Sequence, residues 1–470
     1  MTTKQRWVLA LTGVAGLIVA LDVTVVSTAL STIRVHLHAS IGQLEWTVNA
    51  YALSFAVLLM TASVLGDRLG RRRTFATGLA VFLVASAACA LAPSIGWLIA
   101  ARAVQGAGAA IVSPAALAQL SEALPPERRG LALGVFGGIS GLAVVAGPVV
   151  GGAVTQGLAW QWIFWLNVPV AAVAIPLVLA RLDESVGPRV ALDGGGLGLV
   201  TTAALGLVWG LVRGNSAGWG SPEVLGALGA GALLAIAFVG WERRVREPML
   251  PMRLFASPAF AGGNAAGFLM FGSLFSAVFF MAQFLQTVLG FSPLGTGVRL
   301  IAWTGTVFIV APIAGALSDR LGNRPLVVTG LLLQAAGFLW VALEARDRLP
   351  YGDMIAPLML AGVGISTAIP AAQNAVIGAV TPDQIGTASG TYSTFRQLGG
   401  VFGIALGVAI FAGSGSYTSA GAFTDGFGPA LGVAAGLSVL GAVAGLALPA
   451  RRARAAGTSP VPVLDGAGGH

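Results

Sequence analysis

The chain has 470 residues, of which 56 % are apolar and 9 % charged, with a net charge of +8 and a single cysteine. An average soluble domain carries roughly 25 % charged residues, so this composition excludes an ordinary soluble protein. It also excludes a disulfide framework, and the basic residues are scattered through short loops without the single stripe that nucleic acid requires.

The chain opens on a basic stretch, Met1 to Arg6, followed by an apolar run from Trp7 to Leu30. A signal peptide has a similar beginning. Here the run is too long and Ser31 to Ser40 offers no small-residue cleavage site, so 7–30 reads as a retained membrane helix. Inside it lies Asp22. A carboxylate at membrane depth costs about 2.5–3.5 kcal/mol, so it faces a cavity or a partner. No other Asp or Glu reads as lying so deep in an apolar segment. A group that binds and releases a proton inside a membrane helix is what proton-coupled transport requires. The alternative is a carboxyl that only bonds its neighbouring helices.

Further apolar runs of about 20 residues follow. They fall near 44–65, 74–93, 96–118, 131–155, 162–180, 194–212, 223–241, 259–283, 297–317, 325–344, 353–376, 388–412 and 427–448. The expectation is an all-α polytopic membrane protein with about fourteen transmembrane helices. About 19 basic residues fall in loops on one side, including Arg68, Arg71, Arg72, Arg73, Arg320 and Arg324. Only about four fall on the other, namely Arg34, Arg213, Arg346 and Arg348. The positive-inside rule then puts both termini in the cytoplasm. Lys4 is the only lysine, and with abundant Ala and Gly this fits a GC-rich bacterial genome and a location in the bacterial inner membrane.

Arg102 and Arg396 are intramembrane arginines, expected to be paired or to face water. A cation such as Arg102 close to a buried carboxylate opposes the effect of burial on its protonation, so Arg102 is grouped with Asp22 for proton coupling. Asn49, Tyr51, Gln105 and Asn374 are polar groups inside spans and, with Arg396, are the candidates for lining a substrate cavity. His36 and His38 share an outer loop with no nearby acid or cysteine, and no metal site is expected. The segment from Ala453 to His470 is rich in Pro and Gly and is expected to be disordered.

Two short loops repeat. One reads Ser63-Val-Leu-Gly-Asp67-Arg68-Leu-Gly70-Arg71-Arg72-Arg73, the other Gly315-Ala-Leu-Ser-Asp319-Arg320-Leu-Gly322-Asn323-Arg324. A short inner loop calls for a Gly turn and arginines, but not for a shared Leu-x-Asp-Arg-Leu-Gly spacing. The repeat implies two homologous halves, the layout in which a midplane site forms between repeats. Asp67 and Asp319, at span ends among arginines, suit a latch: each can cap a helix N-terminus or pair with its own arginines.

With these motifs in place, the chain resembles the major facilitator superfamily, and within it the fourteen-helix drug:proton antiporter branch. The two loops look like the superfamily's loop between helices two and three and its second-half counterpart, with Ser63 where the family usually has Gly. Leu21-Asp22-Val-Thr24-Val-Val-Ser-Thr-Ala29-Leu30 is similar to the first-helix signature, and Arg102-Ala-Val-Gln105-Gly106-Ala-Gly108 to the fourth-helix motif. Gly141 with Gly147-Pro148-Val-Val-Gly151-Gly152 resembles the fifth-helix motif that marks antiporters. Trp160-Gln-Trp162-Ile-Phe-Trp165-Leu-Asn167-Val-Pro169 resembles the start of helix six, and Arg396-Gln397-Leu-Gly399-Gly400 a late-helix signature.

The resemblance implies a major facilitator fold with two pseudo-symmetric six-helix bundles, residues 1–180 and 259–450, a linker region 181–258 carrying two further transmembrane helices, and a tail 451–470. It implies export of small, mostly apolar or cationic organic compounds by alternating access, with protons as coupling ion and no other cofactor. The partners expected are the bilayer and the substrate, with a monomer as the working unit. The same fold run in reverse, as proton-coupled uptake of a metabolite, is opposed by the antiporter stretch around Gly147 and Pro148. An intramembrane enzyme needs paired carboxylates or a His cluster in a sizeable loop, and the loops offer neither.

Overall fold

The computed structural model describes residues 2–124, 139, 142–143, 146–186, 193–381 and 384–450. Gly141, the tail 451–470 and the side chain of Asp319 lie outside the described groups. The elements are α1 (Thr3–Leu37), α2 (Ile41–Leu69), α3 (Arg71–Ala90), α4 (Ile95–Ala123), a single turn Trp162–Trp165 leading into α5 (Asn167–Arg181), α6 (Gly194–Ala217) and α7 (Pro222–Glu242). The second part holds α8 (Pro258–Thr287), α9 (Pro293–Thr304), α10 (Val307–Leu321), α11 (Asn323–Glu344), α12 (Tyr351–Ile377), α13 (Ile385–Ser414) and α14 (Ala420–Gly445). Residues 146–157 are helical as well.

Twelve helices among the described residues are long and apolar enough to cross a membrane, with α9 and α10 together forming one span, and bent α2 brings the number to 13. Sequence reading anticipated fourteen. Nearly half of its fifth span, 131–155, falls outside the described residues. The two Gly-rich linker runs are present as full-length helices, α6 and α7.

Helix ends are set where the chain leaves the apolar layer. Ser40 accepts from Gln43 N at 3.3 Å while the Gln43 side chain accepts from Ser40 N at 2.9 Å, a reciprocal cap that starts α2. Gly70 and Gly322, the turn glycines of the repeated loops, have φ of 101° and 82°, a region that L side chains avoid. Lipid supplies no hydrophobic drive between helices, so close approach depends on small residues. Gly106 lies against the Tyr51 carbonyl and Ser54 Oγ of α2. A Cβ at Gly108 would stand 2.7 Å from Phe82 N of α3. These two glycines wedge α4 between α2 and α3 and bring its polar residues to the centre of the first half. Helix α6 leans on α2 and α13, with Trp46 and Trp209 ring centroids 6.4 Å apart.

Candidate functional site

Asp22 is 2 % exposed and Arg102 1 % exposed, and the two form an ion pair inside the first half. The carboxylate is fully engaged. Gln105 Nε2 donates to Asp22 Oδ1 at 2.8 Å, Asn167 Nδ2 donates to the same oxygen at 3.0 Å, and Arg102 Nη1 donates to Oδ2. Gln105 also accepts from Arg102 Nη1 at 2.7 Å and donates to Ser86 Oγ at 2.9 Å. Arg102 Nε donates to the Thr47 carbonyl at 3.1 Å, and its guanidinium stacks over the Tyr51 ring, 4.3 Å from the centroid. One carboxylate thus ties α1 to α4 and α5, with α3 held through Gln105 and α2 through Arg102. A buried pair of this kind loses about 3–5 kcal/mol when one partner is removed, because the other charge is stranded.

Tyr51 and Arg102 face a small cavity at the meeting of the two halves. Its walls are Val23, Val48 and Ala52 on one side and Phe275, Gln397, Gly400 and Ile404 on the other. The free space is about 10 Å³. That is about one water, far below what a drug-sized molecule needs, so the halves are closed over the midplane here.

The end of the bundle at which α1 runs into α2 has its own contacts. Gly147 lies against Thr24 Oγ1, and a Cβ at Gly151 would meet Thr28 Oγ1 and the Val25 carbonyl at 2.5 Å each. Gly152 lies against Pro293 and Gly297 against Pro148, so the helical stretch 146–157 is pressed between α1 and the start of α9. Gln286 Nε2 donates to the Thr28 carbonyl at 3.0 Å. Arg34 caps the seam, its guanidinium 4.1 Å from the centroid of the Tyr417 ring, while the Tyr417 hydroxyl donates to Gln283 Oε1. Burial pushes the Tyr417 phenol above its usual range, so it keeps its proton as donor.

At the opposite end, Asp67 pairs with Arg71, whose Nη2 is 2.8 Å away and whose Nε donates at 2.9 Å. Arg71 Nη1 also reaches Glu122 at 3.0 Å. The helix N-terminus is taken by a different acid: Glu184 Oε1 accepts from Arg72 N at 3.0 Å, at the start of α3. Arg72 Nη1 donates to the carbonyls of Leu179 and Leu182 at 3.2 and 3.3 Å. Arg68 is exposed. In the second copy, Arg320 is exposed and Arg324 half-buried after the Gly322 turn.

The remaining candidates separate. Asn374 Nδ2 donates to Ser318 Oγ at 3.2 Å, beside the second repeated loop. Arg396 lies over the Phe271 ring, 5.2 Å from its centroid. Asn49 donates to Glu45 Oε1 at 3.1 Å. That contact corrects one expectation, because Glu45 is also fully buried, at 0 % exposure. It stands at the start of the apolar run 44–65, and the sequence reading did not single it out. Ser86 and Glu184 also went unnoticed, and Asn167 entered only as part of the helix-six motif, with no role of its own. Asn167 stands among three tryptophans that signal only an interface, and Glu184 looks like any loop acid. Among the described residues no group of His, Cys, Asp and Glu can hold a metal.

Comparison with known proteins places the chain among transporters. A family model described as Major Facilitator Superfamily matches residues 12–256 and 263–464. The tetracenomycin C resistance and export protein of Streptomyces glaucescens is 35 % identical over 394 residues, covering 83 % of this chain and 73 % of its own. A multidrug resistance protein of Mycobacterium tuberculosis is 32 % identical over 408 residues, covering 86 % and 76 %. Among solved structures, a peptide transporter in complex with sulfate superposes with a TM-score of 0.70 at 13 % identity, covering 94 % of each chain.

Proposed function

The chain belongs to the Major Facilitator Superfamily, and from that membership and the buried Asp22–Arg102 network we propose that it exports small, mostly apolar or cationic organic compounds in exchange for protons. It is a multi-pass membrane transporter whose relatives are named for resistance and export. The further reading is fourteen helices in the bacterial inner membrane, both termini cytoplasmic, a monomer, with 1–180 and 259–450 rocking about the midplane and 181–258 as an insert.

The observation that carries the reading is the placement of Asp22. Its carboxylate is buried beside the wall of the midplane cavity and is held by three donors from two other helices. Protonation removes the charge that Arg102, Gln105 and Asn167 converge on. Arg102, which already faces the cavity and keeps its bonds to the Thr47 carbonyl and Gln105, is left without its counter-charge, and the helices lose their common anchor. Loss of the proton restores the pair. A single protonation event is thereby coupled to the packing of the first half, as alternating access demands. The apolar walls Val23, Val48, Phe275 and Ile404 suit apolar substrates, and the Tyr51 ring suits a cation by its π-face.

Inverted membrane vesicles loaded with a pH reporter test this directly. Adding an exported compound must drive protons across the membrane in proportion to the amount of protein. Accumulation of the compound with no proton movement refutes proton exchange.

A further inference from the structure

Glu45 sits in the second turn of membrane-spanning α2 with no exposed surface. Asn49, one turn on, donates to its Oε1 at 3.1 Å. The other oxygen, Glu45 Oε2, has no partner, and neither does Asn49 Oδ1. No ion pair to Glu45 forms among the described residues, and the arginines that come nearest the interior on the elements packed against α2 are engaged elsewhere. Arg102 of α4 is held by Asp22 of α1, Arg34 of α1 lies on Tyr417, and Arg71 of α3 is held by Asp67 and Glu122. Arg213 of α6 pairs with Glu223, and Arg396 of α13 lies over Phe271.

A bare carboxylate in this slot is expensive, with one oxygen unsatisfied and no cation in reach among the described residues. A carboxylic acid is not. Its O–H is the donor that Asn49 Oδ1 lacks, and its carbonyl oxygen is the acceptor that Asn49 Nδ2 already uses. One proton turns two orphaned atoms, four residues apart on one helix face, into a matched donor and acceptor. Val48 and Ala52 lie on the same stripe of α2 and line the midplane cavity. Glu45 therefore stands one turn further toward the end at which Arg34, Tyr417 and Gln286 close the seam.

We propose that Glu45 is a second proton-binding site, filled in this closed arrangement, with Asn49 as the group that holds its proton. Parting the halves at the outer end hydrates Glu45 and lets its proton exchange with the outside. Closing them returns the side chain to a slot that accepts only the neutral acid. The part that Glu45 plays in the cycle rests on proton-coupled export; its protonation does not.

Infrared spectroscopy of the purified full chain at neutral pH reads the site, because a protonated carboxyl has a C=O stretch distinct from that of a carboxylate. Glu45→Gln, which keeps an amide to pair with Asn49, is expected to remove one carboxyl-equivalent of that signal, and Asp22→Asn to leave the Glu45 contribution in place. Asn49→Ala is expected to retain the band but move it to higher frequency, since the acid loses its hydrogen-bond partner. An unchanged signal in Glu45→Gln, or an unmoved band in Asn49→Ala, overturns the proposal. If the band behaves as stated but an imposed pH gradient drives no export, the export reading fails and the proton site stands. If the gradient drives export and Glu45→Gln leaves the signal intact, the site alone fails.

Discussion

Arg102 and Asp22, 80 positions apart in the chain, meet as an ion pair with both side chains 1 % exposed. The close packing of Gly106 and Gly108 against α2 and α3 makes that meeting possible. The pair is therefore a product of helix packing, and changes to the packing act on it as surely as changes to the charges.

Asn167 is the first test of the network. Asn167→Leu removes one of the three donors to Asp22 but leaves Arg102 and Gln105. A hydrogen bond to a charged group contributes about 1.5–3 kcal/mol, so the melting temperature in detergent should fall measurably. Export should fall at least several-fold, although Asn167 does not line the cavity. Wild-type export in Asn167→Leu places that residue outside the machinery.

The latch is tested by Asp67→Asn. Asp67 and Arg71 are about a quarter and a fifth exposed, and pairs of this exposure are worth under about 1 kcal/mol. Folding and insertion should be unaffected, while export falls. Glu184→Gln, which weakens the acid at the start of α3, should give the same pattern. Normal export in both variants with normal expression removes the latch role from this loop.

The seam between α1 and the helical stretch 146–157 is tested by a double substitution. Any side chain at Gly147 collides with Thr24. Gly147→Ala should destabilise the protein by about 1–3 kcal/mol, the usual cost of overpacking. Thr24→Ala removes the nearest atom, the hydroxyl oxygen, but keeps a Cβ 2.7 Å away, so the double variant should recover part of the lost melting temperature. Additive effects in the double variant contradict a direct contact.

Topology is open to labelling. Fourteen spans put 181–193 inside and 213–222 outside. Cys89 is fully buried and can be replaced by serine. A cysteine at position 216 should then react with an impermeant thiol reagent added from outside the cell. Reaction only from the inside contradicts the fourteen-span arrangement.

Much of this was legible in the sequence, for identifiable reasons. Asp22 and Arg102 stood out because charge is rare and costly in apolar runs. The repeated loops stood out because Asp67, Gly70 and their counterparts keep one spacing. Asn167 did not, since a neutral amide near a helix start has many ordinary roles. Glu45 was hidden by its position near the end of a run, where a span boundary and a buried acid look alike. Which acid caps α3 depends on how the chain returns after α5, and no local pattern marks Glu184 for it. The distance between Asp22 and Arg102 came only from three-dimensional packing.

Whether Asp22 carries the coupling proton is decided by transport in reconstituted vesicles under an imposed pH gradient. Asp22→Asn keeps the size and part of the hydrogen bonding but cannot titrate. The gradient should drive no accumulation in Asp22→Asn, while substrate binding and gradient-independent exchange persist, and Asp22→Glu should retain partial activity with a shifted pH optimum. Gradient-driven accumulation by Asp22→Asn at the wild-type rate would contradict that role for Asp22.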